Sequence, residues 1–119
     1  MQKKKDNLKK EVTDEHILSF YGLATRAGKT VSGMDMVSTA IGAGRVFILL
    51  VAEDASDRTR EKIAQLSRQY KIPCFMFSDR EELGKFSGKS GRAICGVIDE
   101  GFAKKMQLLL TENKGATQM

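Results

Sequence analysis

The 119-residue sequence has no tryptophan, one histidine, one proline and two cysteines, and each scarcity removes a class of protein. A single histidine, His16, and two distant cysteines, Cys74 and Cys95, cannot fill a zinc shell, so neither a metal site nor a cofactor is expected. The cysteines lie in apolar runs without C-x-x-C spacing and read as buried, free thiols of a reducing cytosol. No apolar stretch reaches the roughly 18 residues of a membrane helix. The lysines at the start are followed by no apolar segment or small-residue cleavage site, as a secretory signal would require. The expectation is a cytoplasmic protein with no membrane partner.

Apolar residues make up 41% of the chain and charged ones 29%, the composition of one globular domain. The net charge is +5, of which five lysines against Asp6 and Glu11 in residues 1–12 supply +3. That segment reads as a basic, flexible N-terminal tail, residues 13–110 as the folded domain, and residues 111–119 as a polar, frayed C-terminal tail.

Six apolar residues run unbroken from Val46 to Val51. A short run bounded by turn residues reads as a strand covered on both faces. It ends at Ala52-Glu53-Asp54-Ala55, after which Ser56 offers a helix cap with Asp57 and Glu61 in the following turns. Turns at the ends of such strands are where open α/β sheets collect binding chemistry. Apolar spacing predicts helices over about 14–27, 33–43, 57–70, 79–86 and 100–110, with Met36 or Val37, Ala40 and Ile41 inward in the second and Ile63, Leu66 and Tyr70 as the stripe of the third. Extended segments at about 29–32, 46–52, 74–77 and 93–98 alternate with them. The fold class expected is α/β: a single-domain three-layer α/β/α sandwich around a small mixed β-sheet.

Catalytic residues are not apparent. Gly28-Lys29-Thr30 and Gly88-Lys89-Ser90 echo a phosphate loop, but positions 23 and 83, where its first glycine belongs, are leucines. Glu53 and Asp54 are adjacent and would diverge on an extended segment, so Asp54 reads as an organiser of its turn. His16 has no identifiable nucleophile. An enzyme is therefore not expected. More unusual is the stretch Gly84–Arg92, with three glycines, three cations and no acid in nine residues. Backbone freedom combined with Lys85, Lys89 and Arg92 suits close approach to a phosphate backbone. Arg26, Lys29 and Arg45, countered by Asp35, add a second basic region.

Several ordered pieces resemble the kink-turn-binding ribosomal protein family (large-subunit proteins of the seven-A-e and thirty-e type), and within it the small bacterial YlxQ-type members. They are Gly22-Leu23-Ala24-x-Arg26-Ala27-Gly28-Lys29, Val31-Ser32-Gly33, Ala52-Glu53-Asp54-Ala55-Ser56, Ile72-Pro73, Glu82-Leu83-Gly84-Lys85 with Gly88, and Asp99-x-Gly101-Phe102-Ala103. The resemblance implies an α/β/α sandwich, no catalysis, and binding to structured RNA, ribosomal or otherwise kink-turn-like, in a ribosome or other ribonucleoprotein. It also implies that the start of the second helix enters a widened groove of the RNA, and that the loop after the Leu-Gly pair covers a flipped-out nucleotide. Carried onto this chain, the RNA-binding residues are Gly33, Met34, Asp35, Met36 and Thr39 with Lys85, Gly88, Lys89, Ser90, Gly91 and Arg92. Lys29, Arg45 and the N-terminal lysines add phosphate contacts. The family's Asn, Glu and Lys are replaced here by Asp35, Met36 and Thr39. Ionised Asp35 only accepts hydrogen bonds, Met36 makes no strong one and Thr39 carries no charge. The reading is a monomeric RNA-binding module, and its alternative is a protein-interaction module of the same fold that has lost specific kink-turn recognition.

Overall fold

The structure, a computed structural model, describes residues 11–119, so most of the expected basic tail lies outside the described residues. Among the described residues there are five helices: α1 (Asp14–Arg26), α2 (Met34–Gly42), α3 (Asp57–Tyr70), α4 (Arg80–Ser87) and α5 (Glu100–Thr111). Four begin at a side-chain cap, because an oxygen just before the helix satisfies an otherwise orphaned N–H. Thr13 accepts from the His16 N–H, Ser56 from Thr59, Asp79 from Glu82 and Asp99 from Phe102. The exception is α2, whose N-cap is Gly33 and has no side chain to offer.

The described strands are β1 (Thr30–Ser32), β2 (Ile48–Val51), β3 (Cys74–Met76), β4 (Ile94–Val97) and β5 (Thr117–Gln118). They form one mixed sheet in the order β1-β4-β2-β3-β5, in which only β2 and β3 run parallel. Alternation along β2 divides the core. Ile48 and Leu50 join Phe75, Cys95 and Val97 beneath α1, α4 and α5. Leu49 and Val51 join Cys74 and Ile94 beneath α2 and α3. The apolar run at 46–51 is thus a strand with helices over both faces, and the architecture is the expected α/β/α sandwich.

Two details differ from the sequence-based expectation and two sharpen it. Of the pair Met36 and Val37, it is Val37 that faces inward with Ala40 and Ile41 in the nine-residue α2, and Met36 points outward at 61% exposure. Tyr70 is 45% exposed at the last position of α3. A helix of fourteen residues spans about 21 Å, more than the three- and four-residue strands beneath it can cover. Helix α4 runs one residue past its expected end, to Ser87, so the first four residues of the glycine-rich basic stretch are helical. The C-terminal segment is not frayed: it turns back, and Thr117–Gln118 pair with Phe75 and Met76. The turn is held by the buried Asn113, whose Nδ2 donates to the Val12 carbonyl and Asp14 Oδ1 while its Oδ1 accepts from the Gly115 and Ala116 N–H groups, all at 2.8 Å.

Both cysteines are buried, free thiols. Burial pushes the Cys74 thiol from its ordinary 9.0 up to about 12. Cys95 is raised by burial too, against smaller opposing contributions from Tyr21, Ser87 and Arg92. A raised folded-state value means that the stability tied to the bound proton is complete below pH 9 and is lost between 9 and about 12. Denaturation midpoints should therefore be level up to about pH 9 and fall above it, less steeply in Cys74→Ala. Ellman's reagent at about pH 8 should titrate both thiols only after unfolding.

Candidate nucleic-acid interface

Strand register brings four turns to one end of the sheet. Ser32 pairs with Cys95, and Val51 lies between Ile94 and Met76, so the segments after β1, β2 and β3 and the segment before β4 emerge side by side. Backbone hydrogen bonds tie them laterally. Gly33 N–H donates to the Ile94 carbonyl at 2.9 Å, Ala52 to Ala93 at 2.8 Å and Glu53 to Ser78 at 2.8 Å. Asp54 adds a side-chain link: its Oδ1 accepts from the Arg80 N–H at 2.9 Å and its Oδ2 lies 3.8 Å from Arg80 Nε. It does organise its turn, but against the start of α4 and not that of the helix following it in sequence.

Two glycines let the loop between α4 and β4 settle onto this end. A Cβ on Gly84 would stand 2.6 Å from the Lys89 carbonyl oxygen and 2.7 Å from the Gly91 nitrogen, so the loop doubles back directly over the helix. The Lys89 N–H donates to the Gly84 carbonyl at 2.9 Å, after Gly88 has ended α4 with φ of 75°. Gly33 has φ of 88°, and a Cβ there would stand 2.8 Å from Arg92 Nη1. The Arg92 guanidinium therefore lies against the α2 N-cap. Its Nε is buried and has no hydrogen-bond partner. Expected as a free surface cation, Arg92 is half-buried and joins the loop to the second helix.

The result is two grooves sharing one loop. A groove of about 320 Å³ is lined by Ser32, Gly33, Met34, Asp35, Met36, Lys89 and Arg92. A larger one of about 880 Å³ is lined by Asp54, Arg80, Glu81, Gly84, Lys85 and Gly88 through Gly91. The α2 N-terminus presents the positive end of its helix dipole to the first groove, where Lys89 and Arg92 add full charges. Beyond Lys85 the sign changes, with Asp14, Glu15, Glu53, Asp79 and Glu82 lining a neighbouring depression. The two grooves together present Arg80, Lys85, Lys89 and Arg92 against Asp35, Asp54 and Glu81, a slight positive excess beside an acidic border.

The sequence-predicted residues divide. Gly33, Met34, Asp35, Met36, Lys89 and Arg92 meet in the first groove, and Lys85, Gly88, Lys89, Ser90 and Gly91 in the second. Thr39 is exposed on α2, outside the lining of either groove. Lys29 and Arg45 do not join them. The Lys29 carbonyl accepts from Ile98 and Arg45 precedes the start of β2, which places both at the opposite end of the sheet. Both Gly-Lys-[Ser/Thr] tripeptides follow helices, α1 and α4, so neither has the strand-to-helix setting of a phosphate loop. Residues that the sequence did not single out are Ser32, Arg80 and Glu81. Arg80 is 26 residues from Asp54, and no local spacing announces that pairing. No described helix is long and apolar enough to cross a membrane.

Residues 15–107 match the family described as Ribosomal protein L7Ae/L30e/S12e/Gadd45 family. Two curated relatives are both called RNA-binding protein YlxQ. The one from Bacillus subtilis (strain 168) is 42% identical over 89 residues, covering 75% of this chain and 89% of the relative. The one from Enterococcus faecium is 37% identical over 93 residues, covering 78% and 89% respectively. A solved structure of a protein of unknown function from Bacillus halodurans C superposes with a TM-score of 0.77 at 34% identity, covering 81% of this chain and 97% of that one.

The close approach at Gly84 is directly testable. Gly84→Ala drives a methyl group into backbone, which cannot rotate away, and should cost about 1–3 kcal/mol of stability. Gly28→Ala, where nothing lies within 4 Å, bears only the strain of φ at 74°. Urea denaturation of the two variants should rank Gly84→Ala as the more damaging, and the opposite order would refute the packing described for the loop.

Proposed function

The chain belongs to the L7Ae/L30e/S12e/Gadd45 ribosomal protein family, and from that premise we propose that it binds structured RNA through the start of α2 and the loop after α4. The observation that carries this reading is the seating of Arg92 against Gly33, which makes one continuous surface of two elements nearly sixty residues apart in sequence. A mildly positive surface with a roomy groove suits an RNA whose helix is interrupted, because a kink opens the grooves and unstacks bases for a protein to reach. Lys89 and the α2 N-terminus would meet backbone phosphates there. The groove of about 880 Å³ has the volume for an unstacked nucleotide, with Lys85 and Lys89 at its side. The chemistry is positioning and charge neutralisation, with no bond made or broken.

Two of the three substitutions at the family's recognition positions, Asp35 and Met36, fall on this surface, and Thr39 lies outside the groove lining. Asp35 and Met36 are exposed where α2 enters the groove. An acceptor-only carboxylate would favour exocyclic amino groups over guanine O6 and N7, and each lost polar base contact is worth roughly 1–3 kcal/mol. Ribosomal RNA or another kink-turn-like RNA is the partner proposed, with the protein acting as a monomer. The outward Met36 also favours a second reading, in which this face docks a protein partner and RNA recognition has been lost.

A titration against a kink-turn RNA and a straight duplex of equal length, at two salt concentrations with Mg²⁺ present, separates these readings. Preference for the kink that persists at the higher salt is expected. Equal, weak and salt-sensitive binding to both would instead support the protein partner. Lys85→Glu with Lys89→Glu should weaken RNA binding and lower the salt slope by about one per lysine that meets a phosphate. Asp35→Asn, Met36→Glu and Thr39→Lys together should raise kink-turn affinity by roughly 10²-fold or more if each restored contact contributes as above. No gain would mean that α2 docks differently from the family pattern.

A further inference from the structure

The loop that lines both grooves starts just after Ser87 and leads into β4 just before Cys95, and both of these feet converge on one buried point. Ser87, the last residue of α4, is 8% exposed, and Cys95, the second residue of β4, is fully buried. The Ser87 hydroxyl lies 3.6 Å from Cys95 Sγ, within hydrogen-bond reach of a thiol, and shares a 2.7 Å hydrogen bond with the phenol of Tyr21 on α1. Next to Tyr21, Gly22 brings α1 against the same turn of α4, since a Cβ there would stand 3.0 Å from Phe86 Cδ1. Phenol, hydroxyl and thiol thus form a chain of direct contacts that joins three elements.

A purely apolar set of the same volume would fill this space without any desolvation penalty, so the polar atoms are not explained by burial alone. What a directional hydrogen bond adds over an apolar contact is a fixed position. We propose that Tyr21, through Ser87 and Cys95, is a positioning residue for the 88–92 loop, holding both of its feet and thereby setting the two grooves it lines. Tyr21 itself is 0% exposed, so a ligand on the surface cannot reach it. Burial raises its phenol and the Cys95 thiol above their ordinary values, so both remain protonated and the chain of hydrogen bonds stays neutral. Where the proposal concerns affinity, it rests on the RNA reading above; where it concerns the order of the loop, it stands independently.

The test measures amide exchange by NMR alongside RNA binding in Tyr21→Phe and in Tyr21→Phe with Ser87→Ala. The Lys89 and Ala52 amides, which bond Gly84 and Ala93, report the loop, and the Leu49 amide, which bonds Pro73, reports the sheet. In Tyr21→Phe the loop amides should exchange about tenfold faster relative to Leu49, the scale of one lost hydrogen bond. Kink-turn RNA should dissociate roughly five- to tenfold faster. The double variant leaves no phenol or serine hydroxyl unpaired, so its denaturation midpoint should recover while loop exchange and RNA dissociation stay fast. Recovery of all three together would show that the hydrogen bond is merely structural and would overturn the proposal, as would loop amides that keep pace with Leu49. Should the wild-type protein bind no kink-turn RNA, the RNA reading fails, and the exchange arm still decides whether Tyr21 positions the loop.

Discussion

Strand β2 has no face toward water. Ile48 through Val51 are all buried, with odd and even positions feeding separate cores, so helices must cover both sides of the sheet. Once both faces are covered, the turns at the strand ends are what remains for a ligand to reach. Three such turns and the segment entering β4 lie side by side and are bonded to one another through their backbones. The site therefore rests on a rigid floor, the condition under which a few side chains can be held in register with a large partner.

On that floor the decisive contacts are close approaches permitted by missing side chains. At Gly84 the returning loop lies against helix backbone, and at Gly33 the Arg92 guanidinium occupies the space of a side chain. Both contacts draw cations and flexible backbone toward an uncapped helix start. The acidic depression beyond Lys85 bounds this surface. Anionic polymers would be attracted along one path across this end of the molecule and repelled from the next, so charge distribution and not net charge orients the partner.

Much of this was readable in the sequence because it is encoded locally. Thr13, Ser56, Asp79 and Asp99 announce helix starts, Gly28 and Gly88 follow helix ends, and an unbroken apolar run marks the central strand. The ordered pieces from Gly22 to Ala103 pointed to the family that residues 15–107 match. Inaccuracies arose where a neighbour distant in sequence decides the outcome. Tyr70 fits the helical stripe but lies past the end of a short sheet. The polar segment after Thr111 looks like a tail, yet Asn113 supplies both donors and an acceptor at the turn that returns it. Lys29 and Arg45 suit phosphate binding by type, and strand register puts them at the far end from the loop.

By itself, then, the sequence determined the elements, the layered architecture and the family. The elements and layers depend on periodicity and caps, which act within a few residues, and the family rests on the resemblance of the ordered pieces from Gly22 to Ala103. Only the tertiary structure decided which cations share a surface, that Arg92 is a half-buried joint and not a free arm, and that Tyr21 meets Ser87 across 66 residues of chain. Those outcomes follow from strand order and from close packing of backbone against glycine, and such long-range geometry leaves no mark in local spacing.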